Sequence, residues 1–397
     1  MNKNISGRYY GESRPLFGLF IKTSILTVLT LGIYRFWAKT RIRKYFWSAT
    51  TGDGDSFEYT GTGLEKFLGF LVAVVILAIY LGIVQMILFF FGISLFSEPQ
   101  TQAEVLLQLA GVYIPFFAVV PLIFFAQYRS RRYKMARTRW RGLRFGMDSA
   151  AWGYVWRAIL HSLLTILTLG ILLPRQTFSL EKYMADRMWY GDAKFEQQGR
   201  WPELYKGMKH LVIALVIFAA SITFGVVFVA PGFASLLFFI GYIWFVIGSV
   251  YYNVYAFNYM TKNKVLDAVI RFKAIATAST VVKIVLVGIL LSIGFLLVVG
   301  IALAGIFFGV LGASFGGFTF GGGLILLIGF GGLFNVGVLL MLNGISLVFI
   351  TQKIIAHIVD SVTVENAPHL DTIRQRAADK GADADGFADA LDIGGAI

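Results

Sequence analysis

Arg35, Lys39 and Arg43 follow one another at four-residue intervals, with Arg41 and Lys44 beside them and Trp37, Tyr45 and Trp47 in the same stretch. That spacing puts three cations on one helical face. Cations of this kind beside a membrane attract anionic headgroups, each contact being worth about 1 kcal/mol. The chemistry on offer is recognition of a phosphate or carboxylate. Arg139, Arg141 and Arg144, with Arg137 and Trp140, repeat the pattern. Two readings stay open for both clusters: a specific lipid-headgroup or ligand site, or a topology signal with generic lipid contact. A second set lies beside or within two short apolar segments: Lys22 and Thr30 in the first, Arg157, His161 and Thr168 in the second. An ionisable group at membrane depth is a site hypothesis by default, and broken helices in transporters line polar cavities in this way. Snorkelling of Lys22 and Arg157 to the headgroups is the plainer alternative.

Other chemistry is poorly supplied. The chain has no cysteine, and its four histidines show no His-Glu-x-x-His spacing. Its apolar stretches are nearly free of Asp and Glu. No catalytic residue, metal site or cofactor is expected, and the chain does not read as an enzyme. Nucleic acid is not an expected partner, because membrane proximity accounts for the cations.

The elements that must position these residues are membrane helices. Of 397 residues, 57% are hydrophobic and 14% charged, against about 45–50% and 25% in soluble domains. No Asp, Glu, Lys or Arg occurs from Leu211 to Thr261, or over the 69 residues from Ile284 to Gln352. A span needs about 20 residues. Splitting the long runs at Pro231-Gly232 and near Gly321-Gly322-Gly323 predicts six helices over 67–91, 105–127, 211–230, 233–257, 282–308 and 324–350. The segments 23–34 and 158–174 are too short to cross and read as re-entrant or interfacial pieces, with eight ordinary spans as the alternative. The expected fold is therefore an all-α integral membrane protein of about six transmembrane helices plus two short insertions.

Charge orients it. Loop 128–157 carries nine Lys/Arg against Asp148, and 262–283 carries five against Asp267, whereas 97–104 holds Glu98 and Glu104 without a cation. The positive-inside rule puts the basic loops and both termini in the cytoplasm of a bacterial inner membrane. The tail from Asp360 has eight acids and three bases, leaving +18 on the rest of a chain of net charge +13. It reads as a solvated cytoplasmic tail.

The two short segments are copies: LTVLTLGI at 26–33 answers LTILTLGI at 164–171. The same offset of 138 pairs Lys44 with Lys182, Tyr45 with Tyr183, Phe57-Glu58 with Phe195-Glu196 and Gly61 with Gly199. This predicts an internal repeat: a first unit over 1–137, a second over 138–270, a divergent Gly-rich third over 271–359, and the tail 360–397. The aromatic–glycine element Phe57-Glu58-Tyr59-Thr60-Gly61 reads either as a short interfacial strand or as an irregular loop. Sixteen glycines between Gly288 and Gly344 include the spacings Gly305/Gly309, Gly312/Gly316 and Gly317/Gly321. Such spacing suits close helix packing or a homo-oligomer.

The run LTLGIYRFWAKTRIRKYFW, followed by FEYTGTGLEKF and GFL, resembles the YjgN-like bacterial inner-membrane proteins, a domain family of unknown function. TRWRGLRFG at 138–146, the second LTLGI before Leu173-Pro174, and GFADALDIGG at 386–395 fit the same pattern. The resemblance implies location and repeat architecture and supplies no activity. The expected role is a multi-pass membrane protein, a transporter or channel-like protein for a small solute. The alternative is a non-transporting scaffold or anionic-lipid-binding regulator whose partners are membrane lipids.

Overall fold

The computed structural model describes residues 4–93, 101–228, 230–314 and 334–376. It overturns the all-α expectation. Ten short antiparallel strands, each paired with its sequence neighbours, form a barrel closed by pairing of the first strand with the last. They are β1 (Ile5–Tyr9), β2 (Thr50–Gly52), β3 (Asp55–Tyr59), β4 (Thr138–Trp140), β5 (Leu143–Met147), β6 (Met188–Tyr190), β7 (Ala193–Gln197), β8 (Lys264–Leu266), β9 (Ile270–Ala274) and β10 (Val362–Glu365). The physical reason for the miss is length. Strands of three to five residues, interspersed among long apolar helices, contribute almost nothing to composition. Their pairing is also long-range: Ile5 sits opposite Val364.

Helices fill the intervals in pairs. The short pairs are α1 (Ser13–Leu29) with α2 (Arg35–Ala49), and α5 (Ala151–Leu167) with α6 (Leu173–Ala185). The long pairs are α3 (Gly63–Phe90) with α4 (Gln102–Ala136), α7 (Lys209–Val226) with α8 (Pro231–Lys262), and α9 (Ala278–Ser314) with α10 (Phe334–Asp360). The order strand of five residues, helix pair, short strand thus occurs five times. Each pair is closed at its base by one equivalent backbone hydrogen bond. These run from the N–H groups of Tyr10, Thr60, Asp148, Gln198 and Ile275 to the carbonyls of Ala49, Arg137, Arg187, Asn263 and Ser361, at 2.8–3.2 Å.

It follows that every helix pair leaves the same end of the barrel. The strand turns lie at the other end, where Asp53-Gly54, Arg141-Gly142, Gly191, Asp267-Ala268 and Asn366 take positive φ. Six helices are long and apolar enough to cross a membrane, and they coincide with the six expected spans. In the last, helix continues to Asp360, beyond the expected end at 350. The expected break near Gly321-Gly322-Gly323, the spacing Gly317/Gly321 and most of the acidic tail lie outside the described residues.

The short pairs turn back. At 17 residues α1 is about 25 Å long, less than a hydrocarbon core of about 30 Å. Its pair must also return to the barrel to make the Tyr10–Ala49 bond. The tips are alike: Leu31 and Gly32 have φ of 50° and 93°, Leu169 and Gly170 of 49° and 89°. Leu31 is 95% exposed and Leu169 81%, as suits an apolar tip immersed in lipid. Elements of the two short pairs also start 138 residues apart, Ser13 against Ala151 and Arg35 against Leu173, as do β3 and β7, at Asp55 and Ala193.

Inside the barrel the strands alternate. Phe57, Phe145, Phe195 and Phe272 each hold the third position of a five-residue strand and line the interior, and Gly7 holds the fifth equivalent position. Glu58, Arg144, Glu196 and Arg271 stand between them on the opposite face, as a pleat requires. A side chain at Gly7 would lie 2.6 Å from the Val359 carbonyl, because α10 occupies that sector. Two other glycines answer the aromatic–glycine motif: the Tyr9 and Tyr59 rings fold back over Gly11 and Gly61, two residues on, and leave no room for a β-carbon.

Single cysteines placed in this thiol-free chain test the architecture. Glu58→Cys and Lys194→Cys should react with an impermeant maleimide from one side of the membrane, and Phe91→Cys and Val227→Cys from the other. Labelling of 58 and 194 from opposite sides would refute the one-ended arrangement.

Candidate functional site at the barrel–membrane junction

The basic face of α2 does not point uniformly at lipid. Arg35 and Arg41 are exposed, Lys39 is half-buried, and Arg43 is buried. Arg43 donates to the Tyr59 hydroxyl at 3.1 Å with its guanidinium 5.3 Å from that ring. The Lys66 ammonium, also buried, lies 5.3 Å from the same ring. Two cations therefore lie against one tyrosine, a structural use of charge that removes Arg43 from the lipid-facing set. Trp37 stacks on Tyr34 and leaves only a glycine's room at Gly63, so it fastens α2 to α3.

The second basic cluster is also largely structural. Arg141, at the tip of the β4–β5 turn, lies 3.2 Å from Asp53, 2.8 Å from Asp55 and 3.5 Å from Asp371. Arg139 lies opposite Glu58 and Arg144 on the barrel wall. The Arg144 N–H donates to the Gln375 side chain at 2.9 Å. These arginines hold the barrel's turn end and the C-terminal segment together.

The candidates in the short pairs make local contacts. The Thr30 and Thr168 hydroxyls donate to carbonyls one turn back, Leu26 and Leu164, and accept the N–H groups of Tyr34 and Leu172. They bracket the two tips. Lys22 is exposed on α1. Arg157 is exposed, bonds the Gly153 carbonyl at 2.8 Å and lies 4.5 Å from the Tyr183 ring. His161 is half-buried, and its pKa is lowered by burial, then by Arg175 and Arg157.

Three features escaped the spacing argument. The first is a cleft of about 320 Å³ where α4 meets the start of α5, lined by Phe125, Tyr128, Arg129, Arg132, Trp152 and Gly153 among others. Two guanidinium groups and the N-terminal turn of a 17-residue helix face one space, an arrangement suited to an anion. Arg132 is buried and held by a 3.1 Å bond to the Met147 carbonyl. Trp152, 59% exposed, packs on Phe125 at the rim. Arg129 and Arg132 were visible as loop charge, but nothing in their spacing showed that α5 would start beside them.

The second is a half-buried carboxylate. Glu181 on α6 accepts two bonds from Arg131 on α4, at 2.6 and 2.8 Å, and one from Lys264 on β8 at 3.1 Å. Burial alone would raise its pKa, but the two cations prevail and hold it down at about 2. The third is the barrel lumen, with two apolar cavities of about 330 and 350 Å³.

The Glu181 cluster makes stability depend on acid. A carboxyl whose folded pKa lies below its unfolded value stabilises fully above the unfolded value, near 4.5, and loses that contribution as pH falls toward 2. A depression of that size corresponds to about 3 kcal/mol. Thermal unfolding in detergent should lose about that much between pH 5 and pH 2. Glu181→Gln should be less stable at pH 7 and flatter over that range; an unchanged pH profile would refute the assignment.

Residues 4–390 match the family described as bacterial protein of unknown function DUF898. Among curated proteins, the chain is 27% identical over 157 residues to inner membrane protein YjgN of Salmonella typhimurium, covering 39% of this chain and 35% of that one. It is 25% identical over 162 residues to the YjgN protein of Escherichia coli O157:H7, covering 41% and 36%. The matched stretch thus spans about a third of each relative's length. No solved structure matches. With the family matched over nearly its whole length and six apolar helices grounded on one barrel, this chain is a membrane protein of the DUF898 family.

Proposed function

We propose that this protein is a non-transporting membrane protein that engages anionic lipid headgroups where its barrel meets the bilayer. The carrying observation is the cleft of Arg129, Arg132 and the α5 N-terminus, rimmed by Trp152 and Phe125. Aromatic rings of this kind favour the headgroup level, so the cleft's cations lie where lipid phosphates lie.

The arrangement of the spans favours this reading over transport. Only 6–17% of each candidate span's most apolar stretch is buried within the protein. A transport path needs protein-lined or water-lined walls at membrane depth. The packed core of the described residues is instead the barrel and its junction with the helices. Thr30 and Thr168, the expected cavity walls, use their hydroxyls within their own turns.

The relatives' names supply a compartment, the inner membrane. We assign it to this chain with the barrel cytoplasmic, because the basic loops 128–157 and 262–283 hold the β4–β5 and β8–β9 turns. Both terminal strands then face the cytoplasm. We also infer that the 138-residue offset records a duplication, since elements as well as identities recur at it.

The test is lipid selectivity. Purified full-length protein equilibrated in mixed micelles of phosphatidylglycerol and phosphatidylcholine should retain the anionic lipid in excess, measured by mass spectrometry. Arg129→Gln removes one headgroup contact, worth about 1 kcal/mol, so that preference should fall about fivefold. An undiminished preference, or solute flux in proteoliposomes that Arg129→Gln abolishes, would overturn the proposal.

A further inference from the structure

The barrel lumen is larger than its own side chains fill. Interior width grows with strand number, and eight strands suffice to enclose side chains alone. Here ten strands leave two cavities of about 330 and 350 Å³, for which Thr50, Phe57 and Phe145 form common walls. Each is within the size range of small-ligand sites, about 300–1,000 Å³.

The walls are dry by construction. Phe57, Phe145, Phe195 and Phe272 project from equivalent strand positions, and the lining side chains with polar atoms have all bonded elsewhere. Thr50 donates to the Phe46 carbonyl at 2.9 Å, Thr51 to the Arg8 carbonyl at 3.3 Å, and Thr138 to the Lys134 carbonyl at 2.7 Å. Trp47 donates to the Thr138 hydroxyl, Trp140 to the Asp55 carbonyl and Tyr190 to the Trp140 carbonyl. A cavity without spare polar partners does not hold ordered water; it stays empty or takes an apolar guest.

The two ends differ. The 350 Å³ cavity is walled by the last turns of helices that come out of the membrane: Phe46 and Trp47 of α2, Met135 of α4 and Ile355 of α10. At the turn end the segment Asn366–Arg376 crosses the barrel. Leu370 lines the 330 Å³ cavity, and Ala367 and Ile373 are buried beside it. This strap is tied down repeatedly. Asn366 donates to the Val269 carbonyl, and the Arg374 N–H to the Asp192 carboxylate at 2.9 Å. The Arg374 carbonyl accepts the Asp192 N–H at 2.9 Å, and Asp371 pairs with Arg141.

We propose that the barrel lumen is a blind binding site for one long apolar chain, the acyl tail of a lipid or of a free fatty acid. It enters at the helix end and is stopped at the turn end by the strap under Leu370. The site is separate from the headgroup cleft and does not require it.

Brominated acyl chains quench a tryptophan on contact, and Trp140 lines the lumen. The full chain carrying Trp140 as its sole tryptophan is placed in phosphatidylcholine nanodiscs. One arm uses phosphatidylcholine with brominated tails; the other adds a brominated free fatty acid to unlabelled discs. Quenching of Trp140 by at least twofold in either arm supports the proposal and names the source of the chain. Thr50→Phe, which fills the wall common to both cavities, should abolish it. A protein with Trp156 alone, 70% exposed on α5, reports ordinary lipid contact. Quenching of Trp156 with none of Trp140 in either arm overturns the proposal. If the single-tryptophan protein does not fold, a bimane on Leu370→Cys, the one thiol in an otherwise natural chain, is read in the same two arms with the same criteria. The zwitterionic lipid keeps this outcome independent of Arg129 and Arg132.

Discussion

Closure of the sheet is the constraint on which the rest depends. Strands of three to five residues cannot persist as isolated hairpins, and an open sheet of them would expose two edges. Pairing Ile5 and Ser6 with Val364 and Thr363 removes both edges at once. That single contact joins residues near the two ends of the described chain, so the barrel exists only when all five helix pairs have returned to it. Each return is recorded in one backbone bond at the base of a pair. The membrane helices are thereby held by their feet, and α7 and α8 also pack along their length, Phe218 on Phe238 and Phe224 on Phe233.

This distribution of packing inverts the usual picture of a multi-pass protein. Large, fully buried side chains such as Tyr128, Tyr133, Tyr190 and Met147 lie at the junction and in the barrel. The cations there are mostly committed to the same task. Arg131 and Lys264 fasten α4 and β8 to Glu181 on α6, Arg43 and Lys66 grip Tyr59, and Arg141 gathers three carboxylates at the turn end. Net charge thus overstates what is available for lipid. What distinguishes the α4–α5 cleft is geometry, two guanidinium groups beside the amide groups of a helix start.

Much of the helical part was legible because apolar length and charge depletion are properties of contiguous sequence. The six spans and two short insertions follow from that arithmetic, and the matching tips at Leu31-Gly32 and Leu169-Gly170 follow from the repeated LTLGI. The barrel was only half visible. Phe57-Glu58-Tyr59, Leu143-Arg144-Phe145, Ala193-Lys194-Phe195 and Ile270-Arg271-Phe272 each alternate with a period of two, which is the strand signal. Each is too short to outweigh the helices around it, and the partners β2, β4, β6 and β8 offer three residues apiece. Closure itself is invisible to any local pattern, since Ile5 and Val364 become neighbours only in the finished fold. The site suffered likewise: spacing on one helix found Arg35 and Arg41, while the cleft joins the end of one helix to the start of another across a β-turn.

The departure from fivefold regularity explains why the barrel has a lumen to offer. Four of five equivalent positions carry phenylalanine, which by themselves would crowd the centre into a plug. At the fifth, Gly7 carries no side chain and α10 leans in instead, with Val359 against the glycine and Ile358 on the cavity wall. One widened π-turn at Ser346–Thr351 prepares this approach. An extra residue in a helical turn rotates everything after it by about 100°, and such turns are frequent at functional sites. Beyond it Gln352 is buried, accepting the Ser13 hydroxyl and donating to the Gly11 carbonyl, while Ile355 and Ile358 face the two cavities. A helix end is a coarser filler than a fifth phenylalanine. The space it leaves is apolar, begins among the feet of the membrane helices and ends at Leu370.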